Sequence, residues 1–202
     1  MNTAKSHVVP LVLGVICLIA PHAGAQNLVV NGNFDGDISN WTDGVGEGTF
    51  VFDVLDNVGA PGSGSGLMSI TSTGPLWTGI AIQCLPGVSD ANLYDWGARA
   101  FIPSGQAATG NVFVQLVWYS TLACTGSPLA SGTQTNLVPH TTTDTWVTTR
   151  IDAQAPPAGA QSAIIALSVS KTSTTQPLNA HFDGVFFGVG PIPVELQTFT
   201  VE

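Results

Sequence analysis

Thirteen carboxylates stand against four basic residues in this chain, and six of them, Asp35, Asp37, Asp43, Glu47, Asp53 and Asp56, are crowded into one short stretch. Carboxylates could supply the acid–base pair of glycoside hydrolysis, which needs two of them about 5 to 10 Å apart across a cleft, or oxygen ligands for a hard cation. Spacing alone settles neither. Asp35-Gly36-Asp37-Ile38-Ser39 puts side-chain oxygens at the first, third and fifth places of a calcium loop. Asn40 then stands where the loop needs its glycine, and Gly46 where it needs a bidentate glutamate. No motif around the acids would position a substrate, so no catalytic residue is assigned.

The other reactive groups fail their templates. Gly62-Ser63-Gly64-Ser65-Gly66 has Gly at the centre of any G-x-S-x-G frame, and Leu67 takes the final glycine place of G-x-G-x-x-G. It reads as a loop. His140 and His181 lie beyond the leader with no spacing that matches a zinc site or a triad, and each reads as structural or solvated.

Aromatic rings offer a different chemistry, because the C–H-rich face of a pyranose stacks on an indole or phenol while nearby polar groups take its hydroxyls. Trp77, entering a strand after Gly74-Pro75-Leu76, and Tyr119, sharing a strand face with Gln115, are the candidate platforms, with Arg99 and neighbouring amides as hydroxyl partners. Trp118 lies among aliphatics and reads as core.

The elements that must carry these residues are strands. Period-two alternation of β-branched and aromatic residues recurs between Gly, Pro, Asn and Ser clusters, while helical periodicity is almost absent. Strands are expected at Leu28 to Val30, Gly48 to Leu55, Leu67 to Thr71, Trp77 to Leu85, Leu93 to Ile102, Asn111 to Ser120, Trp146 to Asp152, Ala163 to Ser170 and His181 to Gly188. Asn111 to Tyr119 is apolar on both faces, as a central strand covered on each side would be. Strands at this spacing predict an all-β, single-domain sandwich of the jelly-roll kind.

Residues 1–25 read as a secretory signal peptide: Lys5 and His7, an apolar run from Val8 to Ala20, then Ala23-Gly24-Ala25 for cleavage. The run is shorter than a bilayer-spanning helix needs, so no membrane insertion is expected. Without the leader, three basic residues face thirteen acidic ones, a net charge of −10. Such a surface repels phosphate backbones and anionic lipid, which excludes nucleic acid as an expected partner. Export also favours pairing of the two remaining cysteines, Cys84 and Cys124, a bridge stabilising by roughly 4 kcal/mol.

Two bookends carry a family resemblance. Asn31-Gly32-Asn33-Phe34-Asp35, just after the leader, and Phe182-Asp183-Gly184-Val185, near the end, resemble the "N-G-x-F-[ED]" and "[IFV]-D-[DG]-[VI]" motifs of the CenC-type carbohydrate-binding modules, families 4 and 9 and their relatives. Trp146, followed by Pro156-Pro157-Ala158-Gly159-Ala160 and Ser162 to Val169, resembles the stretch that precedes their closing strand. The resemblance implies a galactose-binding-like jelly roll over residues 26–190 whose first and last strands meet. It implies core roles for Trp41 and Trp146. It also implies a structural calcium, Ca2+, held near the chain ends by Asp35 and Asp183 with backbone carbonyls completing the shell.

The function that follows is a secreted, non-catalytic protein that binds a polysaccharide or glycan. Two alternatives stay open: a cell-surface structural or interaction protein that uses residues 191–202 as a last strand or docking tail for a surface-protein partner, and a jelly-roll hydrolase or lyase. The first alternative expects sandwich faces without an exposed aromatic cluster, the second a cleft with two facing carboxylates.

Overall fold

The computed structural model describes residues 26–44, 46–57, 62–73, 78–134, 138–139, 142–173 and 177–190, with the side chains of 130–134 and 138–139 excepted. Residues 1–25, where the leader is expected, Trp77, His140 and the tail 191–202 lie outside the described residues. The strands are β1 (Thr42–Asp43), β2 (Thr49–Asp53), β3 (Ser65–Ile70), β4 (Thr78–Pro86), β5 (Tyr94–Phe101), β6 (Gly110–Tyr119), β7 (Ala130–Gln134), β8 (Val138–Pro139), β9 (Val147–Gln154), β10 (Ser162–Lys171) and β11 (Leu178–Val189). They form two antiparallel sheets, one ordered β1-β4-β10-β6-β7 with β8 also on β6, the other β2-β3-β11-β5-β9. Consecutive strands from β3 to β6 alternate between the sheets, so neighbours in sequence face one another across the core. The all-β sandwich expected from alternation is the fold observed.

Alternation decides which side chains fill the space between the sheets. Val112, Val114, Leu116 and Trp118 of β6 point inward, as do Ala163, Ile165, Leu167 and Val169 of β10. From the other sheet come Tyr94, Trp96, Ala98 and Ala100 of β5, with Phe182, Val185 and Phe187 of β11. Tyr94 stacks on Phe187 at 4.7 Å between centroids, and Trp118 tilts against both. Phe34, Trp41 and Phe50 make a second aromatic knot within the same core. Each such pair contributes about 0.5–1.5 kcal/mol beyond the area it buries. Trp41 and Trp118 are thus core residues, as expected.

The bookends meet, though not as a regular strand pair. Leu28 donates its N–H to the Phe187 carbonyl, and Val185 donates to the Gly32 carbonyl. Between these, the Asn27 amide replaces backbone: its Oδ1 accepts the Phe187 N–H at 3.0 Å and its Nδ2 donates to the Val185 carbonyl at 3.1 Å. A side chain standing in for a peptide explains why 28–30 is not a strand. A Cβ added at Gly32 would lie 2.3 Å from the Val185 carbonyl oxygen. Gly32→Ala is therefore expected to cost about 2 kcal/mol or more by forcing the segment off β11, read as a lowered denaturation midpoint.

The register of β11 slips between Asp183 and Phe186, where Gly184 takes a φ of +55°. This bulge admits one extra residue. Val185 turns into the core, and Asp183 and Phe186, three positions apart, share the outer face.

Candidate functional site

The five-stranded sheet turns an outer face to solvent, and the pairing register arranges its side chains in rows. One row runs Leu67, His181, Phe101 across β3, β11 and β5, with Trp146 beyond it at the start of β9. Phe101 is the hub: its ring centroid lies 5.4 Å from that of Trp146 and 6.0 Å from the His181 ring. Phe101 and Trp146 are both half-buried, each residue keeping some surface open to solvent. Trp146 therefore does not take the core place that the resemblance implied. Val147, next in sequence, pairs with inward-facing Ala100, so Trp146 falls on the opposite face.

The next row is polar. Asp183 pairs in register with Arg99, and Arg99 with Thr148. Asp183 is buried and turns away from Arg99: one carboxylate oxygen accepts the Gly184 N–H at 2.6 Å and the other the Asn57 N–H at 3.2 Å. Burial pushes this carboxyl up to about 6 against the pull of those two donors, and the neighbouring Asp56 carboxylate adds to the rise. In the unfolded chain the same group ionises near 3.9. Between these values the folded state holds a proton that the unfolded state has released, so stability falls as pH rises through about 6. The loss for this group alone is about 2–3 kcal/mol. Thermal melts from pH 4.5 to 7.5 in chelator should show that decline, and Asp183→Asn should flatten it.

Beside this row, Ser65 Oγ and His181 Nδ1 share a buried hydrogen bond of 3.0 Å, and Asp53 Oδ1 stands 3.9 Å from the same nitrogen. Burial lowers the His181 pKa, with Asp53 opposing, so the ring is neutral near pH 7. Serine and aspartate both address Nδ1. A hydrolytic triad has the imidazole bridge them through its two different nitrogens, and this arrangement is a different one.

Past the bulge, Phe186 packs over Gly97, and the Arg150 guanidinium lies 5.2 Å from the Phe186 ring centre. Arg150 is held by the buried Asp95, 2.8 Å from its NH2 group, and by Asp152. Asp95 also accepts the N–H of Ala153, a non-glycine residue at φ +52°. Leu93, Asp95, Arg150, Asp152, Ala153 and Gly190 line an open depression at this end of the face. The Phe186–Arg150 and Phe101–Trp146 stations sit four residues apart along β5, about 13 Å.

The sequence-derived candidates do not form one surface. Gln115 and Tyr119 share the outer face of the other sheet, where they pair with Ala166 and Ser162, whereas Arg99 lies across the sandwich from them. Trp77 is outside the described residues. Asp35 is exposed in the turn after Phe34, its N–H held by Asn31 Oδ1, while the carboxylate interacting with Asp183 is that of Asp56. Cys84 and Cys124 are bonded, their Cα atoms 5.9 Å apart, as the export reading expected. Phe101, Trp146 and Phe186 were not among the candidates. The alternation of 93–101, which sets Leu93, Asp95, Arg99 and Phe101 on one face, was a signal that could have found the first.

As to metals, a carboxylate pair suits a hard cation in kind. Asp56 and Asp183 alone would leave most of the six to eight oxygens around calcium to backbone carbonyls and water. Among the described residues no three His, Cys, Asp or Glu side chains converge as a metal-holding set. Nor is any described helix long and apolar enough to cross a membrane.

No family model matches the chain, and no curated protein matches it. Solved structures do. The enzymatically active domain of tailspike protein 4 from bacteriophage CBA120 is 18% identical with a TM-score of 0.63, covering 81% of this chain, which spans 21% of that one. TmCBM61 in complex with β-1,4-galactotriose is 11% identical with a TM-score of 0.53, covering 82% of this chain and 99% of its own. The C-terminal family 22 carbohydrate-binding module of Clostridium thermocellum Xyn10B is 15% identical with a TM-score of 0.55, covering 81% and 94%. At these identities the likeness is one of fold: this chain has the β-sandwich of carbohydrate-binding modules.

Proposed function

We propose that this protein is a secreted, non-catalytic carbohydrate-binding protein of the CenC-like kind, and that a polysaccharide or glycan lies on the outer face of the five-stranded sheet. The observation that carries the reading is the half-buried Phe101–Trp146 pair beside Arg99 and Thr148: ring surface for the apolar side of a sugar, with donors and acceptors for its hydroxyls. Sandwich neighbours that are themselves carbohydrate-binding modules support it. The surface-interaction alternative expects faces without an aromatic cluster, and this face carries one. A hydrolase would use two acids about 5 Å or more apart across a cleft, whereas the acid pair beside this row, Asp56 and Asp183, interacts directly and raises the Asp183 pKa. Secretion rests on the leader sequence.

A structural calcium at Asp183 belongs to the same proposal, with Asp35 as the resemblance implies and with Asp56 set against Asp183. A cation there would relieve the repulsion within the carboxylate pair. The test is binding of residues 26–202 to a panel of insoluble polysaccharides, with melts in calcium and in chelator alongside. Retention on one glycan class supports the reading, and failure across the panel by a folded protein sinks it. A melting point indifferent to calcium at pH 7.5 removes the metal.

A further inference from the structure

Three basic residues serve the chain beyond its leader, and the structure uses two of them internally. Lys171 is buried and its Nζ donates to the Ser72 carbonyl. Arg150 is clamped between Asp95 and Asp152. Arg99 is different: among the described residues its guanidinium makes no hydrogen bond and no ion pair, although it is half-buried in the middle of the sheet face. Asp183 stands opposite it in register, yet both oxygens of that carboxylate are turned to the Asn57 and Gly184 N–H groups, and Arg99 lies along Gly184, whose added Cβ would be 3.8 Å from Arg99 Cδ. The aliphatic stem of Arg99 thus runs alongside the bulge while the adjacent acid is withheld from its guanidinium.

We infer that the ligand of this face carries a carboxylate, and that Arg99 receives it: a uronic-acid group on an otherwise neutral glycan. The inference rests on the carbohydrate-binding reading above and names the ligand class for the same site. A planar guanidinium with five fixed donors takes a carboxylate through two parallel hydrogen bonds, a match that hydroxyls do not reproduce. Phe101 lies two residues along the strand, on the same face, so a sugar ring stacked on the Phe101–Trp146 pair has Arg99 within reach of a substituent. The charge of the protein limits the class further. A polyuronate with a charge on each unit would be repelled by the net −10 and by Asp53, Asp56 and Asp183 around the row, because one guanidinium can offset only one of its charges, whereas an isolated carboxylate has its whole charge offset by Arg99. Arg99 is in this account the specificity-determining residue, and the aromatic pair supplies binding common to neutral and acidic chains.

The experiment compares matched pairs on several backbones: xylan with glucuronoxylan, and galactan, mannan and β-glucan each with a lightly C6-oxidised derivative, plus polygalacturonate as the fully charged case. Affinity is measured for the wild type, Arg99→Gln and Arg99→Lys, with melts to show that each variant is folded. The expected result is about tenfold or more tighter binding of the sparsely acidic member of the retained pair. That gain should be lost in Arg99→Gln, reduced in Arg99→Lys and weakened by salt, while binding of the neutral member loses only the smaller contribution of Arg99 to its hydroxyls in either variant. Polygalacturonate should bind more weakly than the sparse acid. Equal or weaker binding of the acidic member, with neutral binding intact, overturns the inference and leaves the carbohydrate-binding reading standing. A gain that survives in Arg99→Gln also overturns it. No binding to either member of any pair overturns both.

Discussion

Trp146→Ala is expected to weaken retention on the bound glycan by about 30-fold or more, and the double variant with Phe101→Ala to abolish it. A buried or stacked aromatic anchor typically carries 2 kcal/mol or more of a binding energy, and here two rings 5.4 Å apart share one surface. Both are half-buried and sit outside the main core, so the stability cost should stay near 1 kcal/mol, and the variants should melt close to wild type. That separation makes the result interpretable, because loss of binding without loss of fold is what a contact residue produces. Tyr119→Ala is the internal control. Tyr119 lies on the outer face of the other sheet, so retention should survive its removal. If Tyr119→Ala abolishes retention and Trp146→Ala does not, the ligand lies on the opposite side of the sandwich and the assignment of the face is wrong.

Reduction of the Cys84–Cys124 bridge should remove about 4 kcal/mol of stability, the largest expected effect of any covalent change here. The bridge ties β4 to the loop after β6, closing 40 positions of sequence, and the chain-entropy model assigns roughly that value to a loop of this size. It also anchors a turn in which Cys124 itself sits at φ +53°. Denaturant titrations with and without reductant, and of Cys84→Ser with Cys124→Ser, should agree with one another. Glycan retention by the reduced protein, under conditions where it stays folded, should be unchanged, since the bridge lies on the six-stranded sheet, away from the Phe101–Trp146 face. A midpoint that does not move on reduction would mean that native packing alone holds this loop.

How much of this was legible beforehand follows from the range of each physical signal. Period-two alternation is local. Eight of the nine expected strands are present with ends shifted by a few residues, and Trp118 is in the core because its neighbours at 112, 114 and 116 share its face. The strands that were missed carry little or no pattern: β1 and β8 are two residues long, and Ala130–Gln134 is small and polar. The cysteine pairing was legible because reading residues 1–25 as a leader leaves two cysteines and a single choice.

The sequence by itself determined the class of fold, the makeup of most strands, and the meeting of its two ends, where Gly32 and Asn27 are the residue types the junction with β11 requires. Only the tertiary structure decided which outer face each polar residue reaches. Alternation says that Gln115 and Arg99 both point away from the core, but whether they point the same way depends on which sheet each strand joins, and that is a matter of long-range pairing. Nor does alternation see the bulge at Gly184. One inserted residue inverts the faces beyond it, sending Val185 inward and putting Phe186 on the same sheet face as Asp183, Arg99, Phe101 and Trp146. Side-chain facing along a strand is written in consecutive residues, whereas the neighbours a side chain meets are set by residues about 80 positions away, as Asp183 and Arg99 are.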